Sequence, residues 1–386
     1  MILVKGFMQK PARHIIPALI VFVALWSFAA CSQDDDTPAT PPAVKGEMTL
    51  GVSFGMPTKA PAAAGYDDGE MYENYIDIAG GNYRIYFFDT SNKLIARFEP
   101  SGFVVTEGSN YRQYNVLGKA PAALAKHSDF KMVVLANWPQ YNDALTVGTT
   151  TIDDICSAEW AQFAAMTNFE AGPGNLLPFY GVHEYTGVTF EPDVATMLSE
   201  PVTLLRAVAK VEVILETDSH LDQELSSVNI CRYNAKGYCA PTGVYSQSDY
   251  GQGKDWTTDY LGSLHLVGGH NDVDADGKKL PLRKVGRWSE SSGKIYEKWI
   301  AYLPEYQNTK DDFASIKLRF KGQTDLEEDY SVFFARYEGG TTSNAVDTRL
   351  DIQRNNLYRF TINRDPLLLS MKVEEWLPGG KVHIDM

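Results

Sequence analysis

Three acidic residues at alternate positions, Asp272, Asp274 and Asp276, are followed at once by Gly277. D-x-D-x-D-G is the first half of a calcium loop, in which three carboxylates converge on a hard cation and the glycine permits the turn. The second half departs from that pattern: the twelfth position is Arg283, where a bidentate Glu would be needed. Asp- and Gly-rich turns also join strands in β-proteins, so a solvated turn is the expected role and no cofactor is expected. His265 and His270, five apart on a Gly-rich stretch, are a weak metal pair. The chain has no HExxH, glycine-rich phosphate loop or CxxC. No residue is therefore marked for catalysis, and the chain is expected not to be an enzyme. Tyr233, Tyr238, Tyr245, Tyr250 and Trp256 sit in a Gly/Ser/Asp-rich region; loop and core packing is the first reading of them, a sugar-stacking surface the second.

The N-terminus offers a different chemistry. Lys5, Lys10 and Arg13 precede an apolar run of 14 residues, Ile15 to Phe28, then Ala29, Ala30 and Cys31. The run is short of the ~20 residues that cross a bilayer, and the layout is that of a secretory signal. "FAAC" looks like a lipobox, with Phe28 where Leu is usual, which marks Cys31 for lipidation after removal of residues 1–30. An ordinary signal with a chance cysteine, or an uncleaved anchor, is the alternative. Residues 31–46 begin "CSQDDDTPATPPA", an acidic, Pro-rich tether. The formal charge is −14; the signal holds three cations and no acid, so the processed chain is more acidic still. Such a chain repels nucleic acid. Cys156, Cys231 and Cys239 remain after Cys31, an odd number, and Cys231 and Cys239 flank a turn-like "RYNAKGY"; a local bridge and buried thiols both stay open.

The elements that position these residues are strands. Met48, Leu50, Val52, Phe54 and Met56 alternate with polar or small residues over 47–56, which predicts one apolar face. The loop 57–66, "PTKAPAAAGY", has no period, and Lys59 is its one basic residue. Further strands are predicted at 82–89, 130–138, 202–216, 298–305, 315–322, 330–337, 357–363 and 369–376. In the 202–216 strand, Leu205, Ala207, Ala209, Val211 and Val213 share one face, expected to line a second core, and Arg206, Lys210 and Glu212 the other. Thr151 and Asp154 form a capping signature before Ile152, Ile155, Trp160 and Phe163, predicting a short helix over 152–166. The irregular "FEPDVATMLSEP" ending at Pro201 suggests two domains, 47–201 and 202–386.

Several segments together resemble the fimbrillin family, lipoprotein pilus subunits of anaerobic Gram-negative bacteria. They are "CSQDDD", "FGMPTKA", "ENYIDIAGGNYRIYFFD" (73–89), "VVLANWP" (133–139), "LPFYG" (177–181), "VTLLRAVAKVEV", "IQRNNLYRFTI" (352–362) and "MKVEEW" (371–376). The resemblance implies an all-β chain of two tandem transthyretin-like Greek-key sandwiches, with the short helix in the first. It implies a surface-exposed outer-membrane lipoprotein that joins other copies of itself or related fimbrial subunits. In that scheme Met48, Leu50, Val52 and Phe54 complete their own sandwich, cleavage at Lys59 releases the strand, and residues 369–386 of another copy donate Met371, Val373 and Trp376 in its place. Trp376 is out of phase with the other two, so a bulge or second strand is needed there. A fimbrial tip adhesin, or a free-standing lipoprotein binding a glycan, host or bacterial surface ligand, is the alternative.

Overall fold

The computed structural model describes residues 48–57, 73, 75–107, 111–138, 145–157, 162–164, 174–219, 223–238, 279–309, 311–323, 330–335, 349–364 and 367–375. The strands that build the first part of the chain are β1 (Thr49–Pro57), β2 (Tyr83–Phe88), β3 (Leu94–Arg97), β4 (Pro100–Glu107), β5 (Tyr111–Lys119), β6 (Phe130–Ala136), β7 (Gln162–Ala164), β8 (Phe179–Tyr185), β9 (Ala195–Met197), β10 (Val202–Thr203) and β11 (Leu205–Arg206). One sheet runs β10–β1–β5–β4, with β9 also on β1; the other runs β11–β8–β6–β2–β3. Their apolar rows meet in one core: Leu50, Val52 and Phe54 from the first sheet, Ile85, Phe87, Met132 and Val134 from the second. Phe130–Ala136 is buried at every position, as its near-continuous apolar run requires of a strand covered on both faces.

The chain changes sheet at Val202–Arg206. β10 pairs with β1, then β11 pairs with β8. Gly181 of β8 permits the crossing, since a Cβ there would stand 2.5 Å from the Thr203 carbonyl oxygen. Val202, Leu204, Ala207 and Val208 all belong to the first core. Ala207 therefore does not line the second core, and Leu205 is only half-buried; the second core starts at Ala209.

Beyond it come β12 (Ala209–Asp218), β13 (Leu225–Cys231), β14 (Lys236–Tyr238), β15 (Leu280–Pro281), β16 (Arg283–Ser289), β17 (Lys294–Leu303), β18 (Ser315–Phe320), β19 (Tyr330–Phe333), β20 (Asn356–Arg364) and β21 (Leu367–Glu375). They form the sheets β16–β17–β12–β20–β21 and β15–β13–β18–β19. Ala209, Val211, Val213 and Leu215 face Val228, Ile230, Ile316 and Leu318 in a second core. The chain is thus all-β, and both sandwiches lie in one compact unit, Ala43–Met386.

Helix is scarce. Thr151 and Asp154 make the reciprocal capping bonds, Asp154 N to Thr151 Oγ1 at 3.2 Å and Thr151 N to Asp154 Oδ2 at 2.8 Å. The helix they open, α1, spans only Ile152–Ser157, not 152–166. Gln162–Ala164 is instead β7, paired with Lys236–Tyr238.

Candidate functional site

β1 is the element around which a site is built. On one edge it pairs antiparallel with β5 at nine positions, from Thr49 opposite Lys119 to Pro57 opposite Tyr111. On the other it pairs parallel with β9 at Thr49–Gly51 and with β10 at Phe54–Gly55. The Leu198 N–H donates to Gly51 O (3.0 Å) and the Leu204 N–H to Gly55 O (2.9 Å). Leu50, Val52 and Phe54 are fully buried, and Met48 packs partly buried on the same core. The Phe54 ring lies 5.6 Å from Tyr114 and 5.8 Å from Tyr83.

The outward row of β1 is Gly51, Ser53 and Gly55. A Cβ on Gly51 would stand 2.2 Å from the Met197 sulfur and 2.5 Å from its methyl carbon. The glycine is thus what lets the Met197 side chain lie across the strand. Because that obstacle is the flexible, 39 % exposed end of a methionine, Gly51→Ala costs little. About 1 kcal/mol is expected from displaced packing, and Met197→Ala in the same chain should reduce it, with the Leu117 side chain at 3.0 Å left as the remaining obstacle; equal losses in single and double variants by chemical denaturation would refute the contact.

Residues 58–66 of the loop expected to be cut, Lys59 among them, lie outside the described residues. The described chain beyond it is bound by residues outside β1. Tyr114 OH accepts from Ile76 N (3.1 Å). Asn137, at a left-handed φ of 57°, donates from Nδ2 to Tyr75 O (2.7 Å) and accepts from Asp77 N (3.2 Å). Glu73 is buried, and Arg206 Nε donates to its backbone oxygen (3.2 Å).

The Glu73 carboxylate enters a buried charge cluster on the outer face of β12. Lys210 Nζ stands 2.8 Å from Glu73 Oε1 and 3.1 Å from Glu212 Oε1. Lys298 Nζ is 3.0 Å from Glu212 Oε1, and Arg359 Nε 2.8 Å from Glu212 Oε2. Tyr302 OH donates to Glu73 Oε1. Burial alone would push the Glu212 carboxyl up, but Lys210, Lys298 and Arg359 outweigh it and hold the group far below the usual carboxylate range. Arg206 also donates to Asn355 Oδ1 (3.0 Å), and Arg354 makes a two-pronged buried pair with Glu305, both bonds 2.8 Å. The sequence marks Arg206, Lys210 and Glu212 only as the polar face of a strand; Glu73, Lys298 and Arg359 carry no mark. The signal present is alternation of opposite charges along one strand face, with matching charges at 298 and 359 on strands predicted nearby.

Of the other marked residues, Met371 and Val373 lie on β21, opposite Phe360 and Tyr358 of β20. β21 is an edge strand paired with β20 at nine positions. Trp376, Cys31, Asp272, Asp274 and Asp276 lie outside the described residues, as does Cys239; Cys231 is buried. Among the described residues no group of three His, Cys, Asp or Glu is placed to hold a metal ion, and no helix is long and apolar enough to cross a membrane. A polar cleft of about 500 Å³ is lined by Gln223, Glu224, Arg287, Phe320, Lys321, Gly322 and Gln323; Arg287 and Lys321 both pair with Glu224 there.

No protein-family model and no curated protein matches the chain. Among solved structures it is similar to a candidate cell adhesion protein from Bacteroides eggerthii, at 13 % identity and a TM-score of 0.41, over 87 % of this chain and 99 % of that one. A candidate adhesin from Bacteroides ovatus is 12 % identical at a TM-score of 0.36, over 92 % and 99 %. The fimbrial anchor protein Mfa2 from Porphyromonas gingivalis is 12 % identical at 0.32, over 86 % and 99 %.

Proposed function

We propose that the chain is a structural subunit of a cell-surface fimbria, exported as an outer-membrane lipoprotein on Cys31 and polymerised by strand exchange in support of adhesion. The observation that carries this reading is the setting of β1. It is the first strand of the described chain, fully engaged in a core, and separated from Glu73 by a segment whose far end is fastened by Asn137, Tyr114, Arg206 and Lys210. A cut in that segment and loss of β1 would leave a groove between β5 and the β9–β10 stretch, with its walls still attached. A replacement strand would add main-chain pairing to both and fill the places of Leu50, Val52 and Phe54, the mode by which strand addition combines affinity with specificity. Arg84 and Arg97 are poor cleavage sites beside Lys59, since each lies within a strand.

Lys59→Ala is expected to leave the loop intact and abolish fibres. N-terminal mass spectrometry of sheared surface material reads both outcomes. Fibres assembled from uncleaved Lys59→Ala chains would sink the proposal.

A second reading rests on β21. Because Leu367–Glu375 is paired throughout its length within its own sheet, a donor from this region must either leave β20 or come from residues 376–386. A chain that keeps β21 in place suits a fimbrial tip adhesin or a free-standing binder of a surface ligand. Immunogold labelling along the whole shaft would exclude this; label at fibre ends alone, or none on fibres, would support it.

A further inference from the structure

The chain passes from one core to the other without a linker. Ala207 and Val208 are buried in the first core, and Ala209, the next residue, is buried in the second. Every residue from Arg206 to Val213 is buried. Domain boundaries ordinarily fall in exposed, flexible segments that few contacts cross, and a hinge needs residues able to absorb a change in φ and ψ. At the crossing, Asn355, at a left-handed φ of 59°, donates from its backbone N to Val208 O (2.8 Å) and accepts at Oδ1 from Arg206 Nη1 (3.0 Å). Three further ties flank it. Ile300, Tyr302 and Leu357 lie on β17 and β20, strands of the second sandwich, yet belong to the first core. The Glu73 carboxylate, held by Lys210 and Tyr302, spans the same seam. β7, from before the crossing, pairs with β14, from after it, and Arg354 Nη2 donates to Tyr238 O on β14 (3.2 Å).

We infer that the two sandwiches are one cooperative unit, which neither hinges at Val208–Ala209 nor unfolds one sandwich at a time. Tandem domains by default move against each other and need not unfold together. Here a swing at the crossing would bring Ile300, Tyr302 and Leu357 into water, an apolar exposure that opposes it. It would also part Glu73 from Lys210 and break the pairing of β7 with β14. Unfolding either sandwich alone strips the same residues of their cover, so each core holds the other. The inference does not depend on assembly. On the fimbrial reading, it adds that the β1 groove and the β20–β21 edge keep one spacing and one orientation in every copy, as a fibre of constant repeat requires.

The test is native-state hydrogen exchange, resolved by peptide mass spectrometry, on the full chain carrying Cys31→Ala, which keeps it free of lipid. The slowest amides of β2 and β6 in the first sandwich, and of β13 and β18 in the second, report the largest openings of each. Phe54→Ala empties a site in the first core and Phe360→Ala one in the second. Each is expected to speed exchange of the slowest amides in both sandwiches by the same factor, on the order of a hundredfold or more. If truncating an aromatic leaves too little folded chain, Val52→Ala and Val213→Ala, also buried in the first and second cores, make the same comparison with a smaller loss. Acceleration confined to the sandwich that carries the substitution, in either member of a pair, would overturn the inference and make the crossing a point of separation.

Discussion

Phe54→Ala is expected to lower the stability of the first sandwich by about 3–5 kcal/mol, the usual cost of emptying a fully buried aromatic site. The ring is completely enclosed, and its removal also ends two aromatic contacts, the stacked one with Tyr114 and the tilted one with Tyr83, of the kind worth about 0.5–1.5 kcal/mol beyond area. Tyr114 cannot close the gap without disturbing its hydroxyl bond from Ile76 N, so the cavity should persist rather than collapse. The main-chain ladder to β5 and β10 is untouched by the change, which keeps the loss attributable to the side chain. Chemical denaturation followed through a probe in the first sandwich measures it, and a loss under about 1 kcal/mol would mean that the site refills. On the strand-exchange reading the same variant gives a second readout. Leu50, Val52 and Phe54 together retain β1, at ~1.5–3 kcal/mol per buried side chain, so a cut loop alone should not release it. In Phe54→Ala, exchange against a peptide of residues 47–56 should be faster than in the parent after cleavage; equal rates would show that Phe54 does not hold the strand.

That retention row is legible in the amino-acid sequence itself. Leu50, Val52 and Phe54 alternate with Gly51, Ser53 and Gly55, and only a strand with one buried face explains such a row. The run Phe130–Ala136 is legible for a similar reason, being apolar at positions on both faces. Legibility fails where the deciding contact is far along the chain. Ile152 and Ile155 are buried in α1 as helical spacing predicts, yet the same spacing continues to Phe163, which belongs to a strand paired with Lys236–Tyr238; periodicity carries no trace of that partner. The row from Leu205 onward runs unbroken past Ala207 because alternation does not reveal a strand that leaves one sheet for another over Gly181. Lys210 and Glu212 read only as the polar face of a strand, a face that is normally solvated. On that face Lys210 meets Glu73, and Glu212 meets Lys298 and Arg359, and only the fold brings those residues together.

Glu212→Gln is expected to destabilise the chain by about 3 kcal/mol near neutral pH, the low end of what removing one partner of a buried ion pair costs. The low end applies because Arg359 is 29 % exposed and Lys298 11 %, so water can take up part of the charge left behind. Lys210, almost wholly buried, keeps Glu73 and is not stranded. The sign with pH follows from the direction of the shift. Burial, which would raise the Glu212 value, is outweighed by Lys210, Lys298 and Arg359, and the folded group titrates well below its unfolded counterpart. A carboxylate depressed in this way stabilises fully above its unfolded value of about 4.3 and loses that contribution as pH falls through and below it. Melting temperatures of parent and Glu212→Gln should therefore be furthest apart above about pH 5 and converge as the solution is acidified through the unfolded value. Other carboxylates also titrate there, but they are common to both chains and cancel in the difference. Replacing Glu212 by Leu and both Lys298 and Arg359 by Met separates attraction from mere packing. Matched apolar sets in place of buried ions often recover or exceed the parent stability, and if this one does, with β12 still paired to β17 and β20, the cluster serves chiefly to fix how Glu73 and the chain after the first loop dock on that face. A separation between parent and Glu212→Gln that stays constant from pH 7 down through pH 3 would show that the carboxylate charge at 212 contributes nothing to the fold.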